Sequence, residues 1–306
     1  MPMKFCVALP HSSELPYKSQ AWERQVGGAQ ISQAMRLADE LGYWKVMLGE
    51  HFIIPNEVRE RSGSHYFQAT TALAFVAGQT ERIRLASSIT LLPLLNPVVQ
   101  AKMWATLDWL SGGRSAMVVG VGWLQKEFEI LGVPFHERGR LCDEYLAAMH
   151  ELWTSDDPRF EGRYVSFKDV DARPRPIQDP MPIWFGGEVD AVLKRVAKWG
   201  DGWSPSTTHP DQFPERIDFI KSQPDYHGRP IEVQFALSRL GVVHGSSSND
   251  PASVGRQDAP YVLDQLGWLA SKGVTEVRLA VPQFEDFQAY LDWLRWVAEE
   301  IMPKAG

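Results

Sequence analysis

The sequence predicts a (β/α)8 barrel with insertions, and three observations carry that prediction. Short apolar runs rich in β-branched and aromatic residues alternate with longer amphipathic stretches, which is the pattern of βα units around a parallel sheet. About eight such units fit the 306 residues, the number a closed barrel requires. No stretch between them reads as a domain boundary, so residues 1–306 are expected to form one barrel domain. The same alternation would also suit a doubly wound open sheet, which is the runner-up.

The units follow one another in order. "KFCVALP" reads as the first strand, and a helix near Ala29 to Leu41 puts Ile31, Ala34, Met35, Ala38 and Leu41 on one face at helical spacing. "YWKVMLG" is the second strand, and a helix from Tyr66 to Gly78 leads into the third, "RIRLASSITLL". In "NPVVQAKMWATLDWL" Asn96 is placed to cap a helix whose first residue is Pro97, and "GGR" then turns the chain. The fourth strand, "SAMVVGVG", is followed by a long helix around Glu137 to Trp153. Residues 154–182 are too rich in proline and charge for a buried helix and read as an excursion with a small hairpin. The rhythm resumes with "IWFGG" and its helix "VDAVLKRVAKWG", then "DGWSP" and a helix around Asp211 to Ser222. "IEVQFALSRLGVV" is the seventh strand, residues 245–259 a polar loop, Tyr261 to Ser271 a helix, "VTEVRLAVP" the eighth strand, and "FEDFQAYLDWLRWVAEEI" the closing helix. Among the tryptophans, Trp104, Trp109, Trp268, Trp293 and Trp296 sit at core spacings of helices, whereas Trp123, Trp184 and Trp203 lie near strand ends and are expected to line a pocket.

Composition removes several function classes. The net charge of −7 comes from 38 acids and 31 bases mixed along the chain, with no basic block to track a phosphate backbone, so nucleic acid is not an expected partner. Cys6 and Cys142 fit neither a disulfide framework nor a metal-ligand spacing. The start "MPMKFCVALP" runs straight into a strand, and no apolar run approaches the roughly 18 residues of a membrane span, so a cytoplasmic protein is expected. The eight histidines include no HxH or HExxH pair, and no GxSxG elbow or P-loop occurs, so neither a metal site nor a hydrolase nucleophile is expected.

Barrels place their sites at the C-terminal ends of the strands, and that position nominates Glu50 and His51 at the end of strand two. An imidazole exchanges protons near neutral pH, and an adjacent carboxylate steers its tautomer. "GVGW" ends strand four with bare backbone at Gly120 and Gly122 and an indole, Trp123, that could pack on a planar ligand. It lacks the third glycine of GxGxxG, Gln125 standing there, and is no dinucleotide fingerprint. Gly186 and Gly187 precede a helix whose free amides could receive a phosphate, or they simply make the turn.

Read together, "LASSITLLPLLNPVVQAKMWATLDWLSGGRSAMVVGVGWLQKEFEILGVPFHERG", "LWTSDDPRFEGRYVSF", "PIWFGG" and "DGWSP" resemble the luciferase-like monooxygenases, most closely the branch that uses the deazaflavin coenzyme F420. The likeness runs from the first strand to about Pro214. It implies a luciferase-like barrel holding coenzyme F420 or FMN at its C-terminal face, with Glu50 and His51 matching an acid–His pair in which the histidine works on protons beside the ring. It implies a non-proline cis peptide within Ser87, Ser88 and Ile89, pressing on the ring, with Gly120, Gly122 and Trp123 flanking it and Gly186 and Gly187 receiving the phosphate. Val189 stands where the family commonly has a serine or threonine. Arg114, Glu127 and Arg138 match recurrent positions and are read as an ion-pair set tying the strand-four loop to its helix. Arg59 and Arg61 are the cations after strand two available to the acidic tail of F420. The expected function is F420-dependent hydride transfer to or from a small organic substrate. The alternatives are an FMNH2-dependent two-component monooxygenase using O2 and a separate flavin reductase, and a flavin-binding barrel without turnover. A homodimer is also implied.

Overall fold

The computed structural model describes residues 2–16, 19–237 and 258–306. Eight parallel strands close on themselves: β1 (Lys4–Ala8), β2 (Lys45–Leu48), β3 (Arg84–Ser87), β4 (Ser115–Gly120), β5 (Ile183–Gly186), β6 (Gly202–Ser204), β7 (Glu232–Ala236) and β8 (Glu276–Arg278). Each pairs with its successor, and Lys4 opposite Glu276 joins β8 to β1. The open sheet is thereby excluded. Around the strands lie α1 (Gly28–Glu40), α2 (Ala69–Ala77), α3 (Pro97–Ser111), α4 (Arg138–Thr154), α5 (Asp190–Trp199), α6 (Phe213–Lys221), α7 (Ala259–Ser271) and α8 (Phe287–Trp296).

Local chemistry sets the boundaries. The Asn96 side chain accepts from Val98 N–H at 2.9 Å with Pro97 at the first helical position, and Gly112 ends α3 in the left-handed region at φ 68°. The helix expected from Tyr66 starts later because the Gln68 side chain caps it, accepting from Thr71 N–H. A short helix, Gln125–Ile130, follows β4 and was not foreseen, and the excursion contains the expected hairpin, Phe160–Glu161 against Ser166–Phe167. The seventh strand is shorter than the apolar run, and residues 238–243 of that run and 245–257 of the polar loop lie outside the described residues.

Trp109 is the clearest departure. It was expected in the core but is 58% exposed next to exposed Leu110 in the last turn of α3, whose first turn exposes Val98 and Val99. Trp104 takes the buried position on the same helix. Inside the barrel, Cys6, Met47, Ala86, Ala116, Val118 and Trp184 form a cluster whose lower layer is an ion pair. Lys45 Nζ meets Glu276 Oε2 at 2.5 Å with both side chains fully buried, and it stands 3.7 Å from the centre of the Trp184 ring. Trp44 Nε1 donates to the other Glu276 oxygen at 3.1 Å. Burial pushes the Glu276 carboxyl up, but Lys45 and these donors outweigh it and hold its pKa below the ordinary value. No helix of the described residues is long and apolar enough to cross a membrane.

Candidate active site

His51 lies just past the end of β2, at the C-terminal mouth of the barrel. Its partner is not Glu50. His51 Nδ1 is 2.8 Å from Oε2 of Glu127, a buried carboxylate on the short helix after β4. Glu127 Oε1 accepts from the backbone of Phe52 at 2.6 Å and Ile53 at 3.3 Å. One carboxylate thus fixes both the ring and the chain that follows it. A carboxylate can only accept, so Nδ1 carries the proton in the neutral ring and Nε2 keeps a lone pair for an external proton.

Neighbouring residues of an extended segment point to opposite sides, and Glu50 turns away from His51 into the protein. Its oxygens accept from Ala69 N–H and Leu91 N–H, each at 3.2 Å, and from Gln68 Nε2 at 3.4 Å. Burial raises its pKa despite those bonds. The residue ties the β2 end to α2 and to the chain after β3. Glu127 was read as one of an ion-pair set with Arg114 and Arg138, and that set is absent. Arg114 is spent on carbonyls of Ala77, Thr80, Ile83 and Ser111, and Arg138 donates to Phe135 O and covers the Phe135 ring. The available sequence signal was positional: an acid in the first turn of a helix leaving β4, one strand across β3 from His51.

The mouth is aromatic around the imidazole. The Tyr66 ring meets it edge-on at 4.9 Å and the Trp123 ring at 6.2 Å, with the Arg61 guanidinium 5.0 Å from the Trp123 centroid. Trp123 is 47% exposed and sits where expected, whereas Trp184 and Trp203 are buried. Trp203 is fixed by a 2.7 Å hydrogen bond from Nε1 to Gly187 O.

The Ser88–Ile89 peptide is cis, as the resemblance implied, and β3 breaks there before Thr90–Leu91 rejoins β4. Ser87 is fully buried and serves the sheet: its Oγ accepts from Val118 N–H at 3.1 Å and from Thr90 Oγ1 at 2.7 Å. Ser88 N–H donates to Leu48 O at 2.5 Å. Ile89 fills the space over two glycines: a Cβ on Gly120 would lie 2.0 Å from its Cδ1, and one on Gly186 would lie 2.9 Å from its Cγ2. The bare backbone expected to approach a cofactor therefore accommodates Ile89. Gly120→Ala is expected to cost about 1–3 kcal/mol in urea unfolding, as overpacking does, with a parallel loss of flavin-type ligand affinity as Ile89 is displaced.

At the other candidate position Gly187 is built into the end of β5 and β6. Its N–H points to Ser204 O at 3.4 Å and its carbonyl is held by Trp203. Glu188, next in the chain, accepts from Ser206 and Thr207 amides at 2.6 and 2.8 Å, a negative charge beside the expected anion site. Gly122 takes φ 79° with Phe128 packed where a side chain would stand, so it serves the turn that carries Glu127 toward His51.

The profile of the luciferase-like monooxygenase family matches residues 3–262, and the chain belongs to that family. An uncharacterized protein of Mycobacterium tuberculosis is 30% identical over 286 residues, covering 87% of this chain and 93% of that protein. The F420-dependent glucose-6-phosphate dehydrogenase of Amycolatopsis mediterranei is 31% identical over 192 residues, 61% of this chain and 55% of its own. The FMNH2-dependent dimethylsulfone monooxygenase of Pseudomonas putida is 28% identical over 199 residues, 58% and 54%. The crystal structure of the monooxygenase RslO1 from Streptomyces bottropensis superposes with a TM-score of 0.78 at 20% identity, covering 99% of this chain and all of that one. The relatives thus span both deazaflavin and flavin enzymes.

Proposed function

We propose that this chain is a cytoplasmic F420-dependent oxidoreductase that moves a hydride between the deazaflavin and a small organic alcohol or carbonyl compound, with His51 carrying the coupled proton. The observation that carries this reading is the His51–Glu127 pair, an imidazole past the end of β2 whose Nδ1 is held by a buried carboxylate. The residues present fit a planar ring: Ile89 offers an apolar floor supported by Gly120 and Gly186, with His51 and Trp123 beside it. Arg59 and Arg61 would receive an acidic tail at the rim. Bound coenzyme would supply the hydride acceptor or donor.

The chain's own residues then have defined tasks. In the oxidation direction, His51 Nε2 takes the hydroxyl proton of the substrate as hydride leaves its carbon, and in reduction it returns that proton to the carbonyl oxygen. Glu127 stabilises the imidazolium formed in between. Glu127→Gln would present an amide N–H to Nδ1, favour the opposite tautomer and leave Nε2 without its lone pair. A loss of about 10- to 100-fold in kcat is expected, the range found for carboxylates behind functional imidazoles, and steady-state rates with KM little changed would check it.

The likeness to the FMNH2-dependent monooxygenase supports a second reading, in which reduced FMN arrives from a separate reductase and O2 is a co-substrate. A barrel without turnover would leave the buried partner of His51 unexplained. The exposed apolar residues Val98, Val99, Trp109 and Leu110 of α3 support a homodimer through that helix. Anaerobic incubation with oxidised F420 and a panel of secondary alcohols separates the two readings. Loss of deazaflavin absorbance without oxygen is expected, whereas turnover only with FMNH2 and O2 would replace this reading by the second.

A further inference from the structure

A second cavity lies at the opposite, N-terminal end of the barrel, the face on which barrels carry stability and not catalysis. Its volume is about 440 Å3, within the range of small-molecule sites. It is enclosed by the C-terminal ends of α4 and α5, the segment entering β5 and the turn before β7.

The depth of each residue gives the cavity its character. The inner wall holds the buried Trp153 and half-buried Trp199 together with two half-buried guanidiniums, Arg175 and Arg229. The acids, Asp179 and Asp225, are exposed at the rim, where solvent screens them. Lys198 stands over the Trp199 ring at 4.9 Å, so a cation and an indole share one edge of the opening. Asp156 pairs with Arg175 and the half-buried Asp201 carboxylate lies near Arg229, so these cations are partly offset behind the aromatic wall.

Arg229 is under-used. Its Nε is buried without a hydrogen-bond partner, and its Nη2 reaches the carbonyls of Ala197 and Lys198 only at 3.5 and 3.4 Å. Arg175, by contrast, is engaged with Ser155 O and Asp156. Those α5 carbonyls and the nearby half-buried Asp201 carboxylate draw part of the Arg229 charge, but they leave Nε without an acceptor. A buried guanidinium donor without an acceptor is the group a carboxylate or phosphate oxygen satisfies.

We propose that this basal cavity binds a planar aromatic anion, its ring against Trp153 and Trp199 and its carboxylate or phosphate on Arg229 and Lys198. The site is independent of the mouth where His51 stands and of the identity of the cofactor held there. Calorimetric titration of the full-length protein with benzoate, phenyl phosphate, acetate and inorganic phosphate tests it, each repeated with saturating F420 or FMN. One of the two ring-bearing anions is expected to bind about tenfold or more tightly than its ringless counterpart, and which one does so identifies the anionic group. Arg229→Gln, and separately the exposed Lys198→Gln, are expected to weaken that binding, with about a tenfold loss for Arg229→Gln, and saturating cofactor is expected to leave it unchanged. Absence of binding by either ring-bearing anion, equal binding by both variants, or displacement by the cofactor would each overturn the proposal.

Discussion

His51→Gln is expected to lower kcat/KM by about 10²–10⁴-fold, the usual contribution of a positioned general acid–base, while the affinity for the cofactor stays near that of the parent. The expectation rests on position and geometry together. The ring stands at the C-terminal end of β2, its Nδ1 is committed to Glu127, and no other titratable side chain among its ring neighbours Tyr66 and Trp123 offers a proton acceptor near neutral pH. The loss is expected in kcat. A variant that retained full activity across pH would remove His51 from the chemistry.

Lys45→Met is expected to be the most damaging single change for stability. It leaves Glu276 fully buried without its cation, keeping a hydrogen bond shared with Glu232, one from Trp44 Nε1 and a weak Cys6 contact. Breaking one side of such a pair costs about 3–5 kcal/mol, whereas replacing both sides with apolar groups is often neutral. Urea unfolding should therefore show a large drop in midpoint for Lys45→Met and recovery of most of it in Lys45→Met/Glu276→Met. Activity at low temperature, where the single variant remains folded, should be near that of the parent, since the pair lies at the end of the barrel away from His51.

The alternation of strands and helices was legible because periodicity is local: the apolar stripe of α1 and the Asn96–Pro97 start of α3 are written in consecutive residues. What could not be read was partnership across the fold. Glu50 adjoins His51 in sequence, yet the alternation of an extended chain turns it away, and the partner arrives from 76 residues downstream. The bare glycines at 120 and 186 were equally visible, but only the fold shows that Ile89 fills both spaces. Trp109 misled for a related reason. Helical spacing places a residue on a face without saying whether that face meets the barrel or solvent, and the same helix buries Trp104 and exposes Trp109.

The most direct test is a fluorescence titration of the purified protein with oxidised and reduced F420 and with oxidised and reduced FMN. Tight binding of the deazaflavin with negligible affinity for FMN is the expected result, with Arg61→Gln weakening the deazaflavin selectively. Preference for reduced FMN would contradict the proposed function, making the chain the oxygenase half of a two-component system.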